Sequence, residues 1–389
     1  LKELRKWQVE ASEKMLNDKV MLLEVCTGAG KTSFAIHIMK EIFKLNPKFR
    51  ILIVVPKLVI LSGWLKELYD YFSIVDISFM CAEVKEYAKI TITTNSSINR
   101  IAFDLFDVII GDEIHNMNTP NTRKILALEH WKYKIGLSAT IYTRDFKHLK
   151  LERLFNSNKY TYDIEQGLID GVLNKFDWFD CPVVLDGVTK DIHDELQVEI
   201  KQLFAALGGM EGYKKRKASD PTKLRLNKLF DERNKLIYNY HKKFEPLKKV
   251  CIENKDRKVI IFNQFNDTGD KIVEILNDNG VGCSIVNSDL SPREKDSRIE
   301  LYNNDKINVL VTSRMFDEGY NLPGIDTVII FSGNSTQRQS IQRIGRGLRK
   351  KEHNTKVYQI YCKDSFEEKY AEDRLSYFKR LAQSYNKVE

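Results

Sequence analysis

Two stretches of this sequence carry the residue types that phosphate chemistry needs. The first is C-T-G-A-G-K-T at 26–32, which follows the apolar run V-M-L-L-E-V (20–25) and precedes helical apolar spacing over 32–45. Small residues such as Gly28 and Gly30, with Thr27 beside them, let backbone N–H groups come close to phosphate oxygens. The start of the following helix adds its partial positive charge. Lys31 would reach β- and γ-phosphates, and the Thr32 hydroxyl would ligate Mg²⁺. Val25 stands where the pattern G-x-x-x-x-G-K-[ST] has its first glycine, so the loop alone also fits a plain glycine-rich turn. The second stretch is V-I-I-G-D-E-I-H at 108–115. A buried-strand run ends there on two carboxylates, and in parallel α/β sheets ligands gather at the carboxyl ends of strands. Asp112 would stand by the metal, and Glu113 would polarise water as a general base.

These groups need a scaffold, and apolar runs predict one. R-I-L-I-V-V (50–55), K-I-T-I-T-T (89–94), F-D-V-I-I-G (106–111) and Y-K-I-G-L-S (133–138) read as strands between helical stretches. This alternation implies a mostly parallel sheet with helices on both faces. W-F-D-C-P-V-V-L (178–185) reads as a further strand. From about 189 to 250 the pattern is helical and charged, broken at 207–221 by glycines, a basic run and Pro221, which predicts a loop between two helices. Strands return at 258–262, 283–286, 307–312, 326–331 and 356–361, with helical stretches at about 267–279, 291–303, 336–349 and 364–386. The expected architecture is α/β. One domain covers 1–158 and a second covers 159–389, with a helical insertion at about 189–250.

In order along the chain, T-G-A-G-K-T, D-E-I-H and L-S-A-T (137–140) resemble motifs I, II and III of the superfamily 2 helicases and translocases. L-R-K-W-Q (4–8) resembles the element before motif I, I-L-I-V-V-P-K-L-V-I-L-S-G-W (51–64) motif Ia, and T-T-N-S-S (93–97) motif Ib. V-I-I-F-N-Q-F (259–265), V-L-V-T-S-R-M-F-D-E-G-Y-N-L-P-G-I-D-T-V-I (309–329) and Q-R-I-G-R-G-L-R-K (342–350) resemble motifs IV, V and VI. The resemblance implies two RecA-like domains that close on ATP. It assigns Arg346 and Arg349 as arginine fingers, Gln342 to the γ-phosphate or water, and Gln8 to the adenine, with Trp7 in place of a customary tyrosine. It gives His115, Ser138, Thr140, Asp317 and Gly319 to coupling. It places nucleic-acid contacts on Lys57, Thr94, Asn95, Ser96, Asn263, Thr312 and Arg314. The spacing of Gln342, Arg346 and Arg349 puts all three on one face of a helix beginning near Thr336. The basic run K-K-R-K (214–217) is either a second grip or a solvated loop.

The stretch N-K-Y-T-Y-D-I-E-Q-G-L-I-D-G-V-L-N-K-F-D-W-F-D-C-P-V-V-L (158–185) resembles the connection in XPB-, RecG- and UvsW-like DNA motors, and the compact build resembles a phage UvsW-type branch-migration helicase. The implied activity is an ATP-dependent, Mg²⁺-requiring DNA helicase or translocase on duplex or branched DNA. An RNA helicase and a duplex translocase without strand separation remain alternatives. A catalytically silent scaffold is disfavoured by the presence of Lys31, Asp112, Glu113, Arg346 and Arg349.

Composition agrees with a two-domain globular protein. The chain has 389 residues, 42% of them hydrophobic and 30% charged, and a formal net charge of +8, which suits a polyanionic partner. No apolar run approaches the ~20 residues of a membrane span. The six cysteines form no C-x-x-C pair, which fits free thiols in a reducing cytoplasm. A monomer is expected. Opening on Leu1 with no signal-peptide pattern, the chain reads as one trimmed at its start.

Overall fold

A computed structural model describes residues 3–80, 87–142, 146–312, 322, 324–333 and 337–388. Its contacts divide the chain into two units. The first gathers Leu1–Asn174 and includes Ile341–Glu352; the second includes Lys175–Met315, Pro323–Ser340 and His353–Glu389.

The first unit holds strands β1 (Val20–Val25), β2 (Ile51–Val55), β3 (Ile77–Met80), β4 (Ile90–Thr94), β5 (Val108–Asp112), β6 (Tyr133–Ser138) and β7 (Lys159–Tyr162). They pair in the order β3-β4-β2-β5-β6-β1-β7, every pair parallel. The central strands are buried along their length, as continuous apolar runs covered on both faces must be. Helices α1 (Lys6–Asp18), α2 (Lys31–Leu45), α3 (Leu58–Tyr69), α4 (Pro120–Leu126), α5 (Lys147–Leu154) and α6 (Ile164–Ile169) connect them. α2 buries Phe34, Ile38 and Ile42, one face at four-residue spacing.

The second unit holds β8 (Phe176–Val183), β9 (Val259–Phe262), β10 (Cys283–Val286), β11 (Val309–Thr312), β12 (Thr327–Ile330), β13 (Thr355–Cys362) and β14 (Ser384–Lys387). Their order is β10-β11-β9-β12-β13-β8-β14, again all parallel. Its helices are α7 (Gly187–Ala206), α8 (Gly209–Lys215), α9 (Pro221–Tyr238), α10 (Phe244–Glu253), α11 (Asn266–Asp278), α12 (Pro292–Asn303), α13 (Gln337–Gly347, whose residues from Ile341 on belong to the first unit) and α14 (Phe366–Phe378). α7 to α10 are the expected helical insertion. α7 and α9 enclose a small core of Ile200, Leu207, Leu226 and Leu229. The buried Lys243 ammonium, 2.8 Å from Glu367 Oε1, ties the base of the insertion to α14.

Three local expectations change. The break at 207–221 contains α8, which begins after Gly208 in a left-handed conformation (φ 77°). Tyr213 OH donates to Asn227 and the Lys223 ammonium lies over the Tyr213 ring, so this segment folds onto α9. The helix expected to reach 386 stops at Phe378. The following chain becomes edge strand β14 on β8, anchored by a bond from Tyr385 OH to Asp180. The helix expected to reach 349 stops at Gly347, and Arg349 instead forms an antiparallel bridge with Leu173.

Five cysteines, 26, 181, 251, 283 and 362, are buried free thiols; Cys81 lies outside the described residues. Among the described residues no helix is long and apolar enough to cross a membrane.

Candidate nucleotide site

The loop between β1 and α2 turns on Gly28 (φ 88°) and Gly30 (φ 90°), a backbone that other residues rarely adopt. Three consecutive loop carbonyls are each held by a side chain from the start of α1. Arg5 Nη1 donates to Gly28 O (3.1 Å), Trp7 Nε1 to Ala29 O (3.1 Å) and Gln8 Nε2 to Gly30 O (3.0 Å). Fixing the carbonyls fixes the peptide planes, and so the direction of the loop's N–H groups. Trp7 is itself locked between Phe34 and Tyr162, with ring centroids 5.5 and 5.4 Å away. Gln8 Oε1 accepts from Arg5 N (2.9 Å), and Gln8 is buried. Lys31 Nζ donates to Val25 O (3.0 Å), so the residue that breaks the strict glycine pattern takes part through its carbonyl. Thr27 and Thr32 are half-buried.

The carboxylates stand at the end of β5. Asp112 is buried and accepts two bonds, from Trp64 Nε1 to Oδ2 (2.8 Å) and from Glu113 N to Oδ1 (2.9 Å). Burial pushes its carboxyl up to about 6, with the Glu113 charge acting the same way; Trp64 and Lys31 oppose the shift. Glu113 sits in a left-handed conformation (φ 44°), an uncommon state for a residue with a Cβ and one that collects at functional sites. Its Oε2 lies 3.4 Å from His115 Nδ1 and 3.4 Å from Ser138 Oγ. Ser138 Oγ is 2.8 Å from His115 Nδ1 and donates to Thr140 O at 2.8 Å. A hydroxyl has one proton, so donating to Thr140 leaves the Ser138 oxygen to accept from His115 Nδ1–H.

Residues 341–352 complete this cluster within the first unit. A Cβ on Gly345 would meet Thr27 Cβ at 2.9 Å, and one on Gly28 would meet Gly345 O at 3.5 Å and Arg349 Cγ at 3.6 Å. The phosphate loop and the arginine segment therefore touch through glycines. Asn174 N donates to Leu348 O (2.8 Å), which secures the segment beyond the helix end. Gln342 and Arg346 are buried, and Gln342 Nε2 has no partner among the described residues. A buried amide donor without a partner, three residues along the helix from Gly345, suits an anion.

The expected nucleic-acid residues fall into two groups. In the first unit, Lys57 is exposed ahead of α3, Thr94 is buried at the end of β4, Asn95 is half-buried and Ser96 is exposed. Thr94 Oγ1 bonds Ser96 Oγ (2.9 Å), and Asn95 N bonds Val55 O (2.9 Å), so this turn lies beside the end of β2. In the second unit, Asn263 and Thr312 are buried neighbours, with Asn263 N donating to Thr312 O (3.0 Å). Arg314, Asp317 and Gly319 lie outside the described residues.

Arg5 and Trp64 lie inside motif stretches (4–8 and 51–64) that assign them no role, and Glu24 lies just outside the phosphate-loop pattern. Trp64 had one signal: a buried indole N–H requires an acceptor. Glu24 had another, as a carboxylate inside an apolar strand.

Comparison with known proteins bears on the fold and the class of enzyme. Residues 1–143 match the family of the type III restriction enzyme res subunit, and residues 242–351 match the helicase conserved C-terminal domain. The chain is 26% identical over 371 residues to the DNA 3'-5' translocase XPB2 of Sulfurisphaera tokodaii, covering 93% of this chain and 82% of that protein. A shorter stretch is 32% identical to the ATP-dependent RNA helicase p62 of Drosophila melanogaster, covering 23% of this chain and 12% of that protein. The fold matches the helicase domain of Hef from Pyrococcus furiosus with a TM-score of 0.64 at 17% identity, covering 95% of this chain and 97% of that one. With the res-subunit family matching residues 1–143, the helicase C-terminal family matching residues 242–351 and RecA-like sheets in both units, the chain has the two-domain build of a superfamily 2 helicase and is an ATP-hydrolysing enzyme of that type.

Proposed function

We propose that the chain is an ATP-driven motor that moves on DNA, with Mg²⁺ as the metal. The observation that carries this reading is the contact of the phosphate loop, its carbonyls held by α1, with the Gly345–Arg349 segment. Bound Mg²⁺·ATP would supply the phosphoanhydride whose cleavage drives movement. Thr32 and Asp112 would hold the metal; each Asp112 oxygen keeps a lone pair beyond the bond it already accepts. Lys31 takes the β- and γ-phosphate oxygens, and Glu113 takes a proton from water. Gln342, Arg346 and Arg349 meet charge developing on the γ-phosphate. Gln8 serves the loop and the adenine edge. Ser138, Thr140 and His115 pass the state of this site onward.

DNA is favoured over RNA by the Sulfurisphaera relative, which aligns over most of this chain and is named a DNA 3'-5' translocase. The named RNA helicase aligns over a much smaller part. The same relative favours 3′-to-5′ translocation, with unwinding or branch migration of forked DNA as the finer reading, in repair or recombination. Lys57, Thr94, Asn95 and Ser96 in one unit, and Asn263, Thr312 and Arg314 in the other, are the proposed backbone contacts. Asp317 and Gly319 are proposed for coupling. We read the protein as a monomer in the cytoplasm.

ATP turnover measured with single-stranded, duplex, forked and four-way-junction DNA, and with RNA, tests the substrate. Forked or four-way DNA is expected to stimulate most. Greater stimulation by RNA would replace this reading with an RNA helicase. Triplex displacement without fork unwinding would make it a duplex translocase.

A further inference from the structure

Glu24 is a carboxylate inside the apolar strand β1, and its side chain is 18% exposed. A carboxylate so placed needs partners. Oε2 lies 2.5 Å from Lys159 Nζ on β7, and Oε1 accepts the backbone N–H of Ile141 at 2.8 Å. That N–H belongs to the peptide plane whose carbonyl is Thr140 O, the acceptor of the Ser138 hydroxyl. One peptide plane is thus held from both sides, by Glu24 at its N–H and by Ser138 at its C=O. Glu24 and Ser138 are also register partners in the sheet.

The bonds form one directed series. Lys159 and the Ile141 amide donate to Glu24, Ser138 donates to Thr140 O, and the Ser138 oxygen accepts from His115, which lies 3.4 Å from Glu113. Hydrogen bonds in such a series polarise one another. Holding the Thr140–Ile141 plane commits the Ser138 proton to Thr140 rather than to Glu113 Oε2, and leaves the His115 Nδ1–H shared between Ser138 Oγ and Glu113 Oε2. The Thr140 hydroxyl is buried with no partner among the described residues, so the plane is fixed while this group is left to engage something else.

We propose that Glu24, backed by Lys159, is a positioning residue that fixes the Thr140–Ile141 peptide and through Ser138 couples the ATP site to nucleic-acid binding. This rests on the proposed coupling role of Ser138 and Thr140. The test is the ratio of ATP turnover with a forked DNA duplex to turnover without it, in the full chain. Glu24→Leu should lower that ratio about tenfold, as loss of a supporting group does, while affinity for a fluorescent ADP analogue stays within about twofold. Glu24→Gln keeps an acceptor for Ile141 but loses the Lys159 ion pair, so it should lower the ratio only about threefold, well short of Glu24→Leu. Lys159→Met, which leaves Glu24 unanchored, should lower it about threefold and carries the test if Glu24→Leu does not fold.

Combining Glu24→Leu with Ser138→Ala separates the outcomes. If Glu24 acts through Ser138, the double variant matches Ser138→Ala alone. A Ser138→Ala variant with normal stimulation overturns the coupling reading itself. Ser138→Ala lowering stimulation while the Glu24 and Lys159 variants do not, or while the effects simply multiply, overturns only the role of Glu24.

Discussion

The two sheets have the same plan. Numbering the strands of each unit from one to seven, both read 3-4-2-5-6-1-7. What leaves the strand ends differs. β1 runs into a phosphate loop held by α1, whereas the matching strand β8 runs into Asp186, which caps the long helix α7 through Thr189 N. β5 ends on Asp112 and Glu113; the matching strand β12 is followed by Phe331 and Ser332. Shared topology supplies positions at the carboxyl edge, and residue choice at those positions decides whether a unit does chemistry.

The sharpest way to break this comparison is to change both first-strand exits. Lys31→Ala should remove DNA-stimulated ATP hydrolysis, a loss of roughly a thousandfold or more. Asp186→Ala removes a helix cap and the bond Asp186 accepts from Tyr240 OH, and should lower Tm by roughly 2–4 °C or somewhat more, with hydrolysis retained. Hydrolysis surviving Lys31→Ala, or lost in Asp186→Ala, would put the chemistry elsewhere. Next in size is Arg349→Ala. Hydrolysis should fall at least about a hundredfold while ATP binding stays near normal, because the guanidinium serves charge that develops during cleavage. Loss of binding instead would make Arg349 a ground-state ligand.

Asp112 tests the same contrast through stability. Its folded carboxyl titrates at about 6 against an ordinary value of 3.8, so the folded chain holds this proton more tightly than the unfolded chain. The associated stability is complete below pH 3.8 and is lost as pH rises through about 6. Asp112→Asn cannot lose that proton. Without metal or nucleotide, it should match the parent near pH 4 and exceed it near pH 7 by up to ~3 kcal/mol. Denaturant melts at the two pH values measure this directly, and an equal difference at both would refute the buried-charge account.

Sequence reading reached the plan because β2, β5, β9, β11 and β12 are short apolar runs buried on both faces. It missed β3 and took β14 for helix because these are half-exposed edge strands with little apolar signal. Lys31, and Asp112 with Glu113, were legible as candidates because each belongs to a short local pattern, at 26–32 and 108–115. Arg5 on Gly28, Trp64 on Asp112 and Glu24 on Ile141 join residues 23, 48 and 117 positions apart, where no local spacing can point to the partner. The turn at Gly347 likewise moved Arg349 off the helical face that its spacing predicted.

The smallest expected effect concerns the insertion, the part of the second unit with no counterpart in the first. Around α8, Arg216 is paired with Asp220, whereas Lys214, Lys215 and Lys217 are exposed with no ion-pair partner among the described residues. Because α8 folds onto α9, these lysines sit on an ordered support, which suits a second grip on the phosphate backbone. Each phosphate contact contributes roughly 0.9 to the slope of log affinity against log salt for duplex DNA. Changing the three lysines to glutamine should therefore flatten that slope by roughly 2–3 and weaken binding of all sequences alike. ATP turnover without DNA should not change, since none of the three lies near the phosphate loop in sequence or within its unit. An unchanged slope would return this run to a solvated surface and leave the track to the strand-end residues alone.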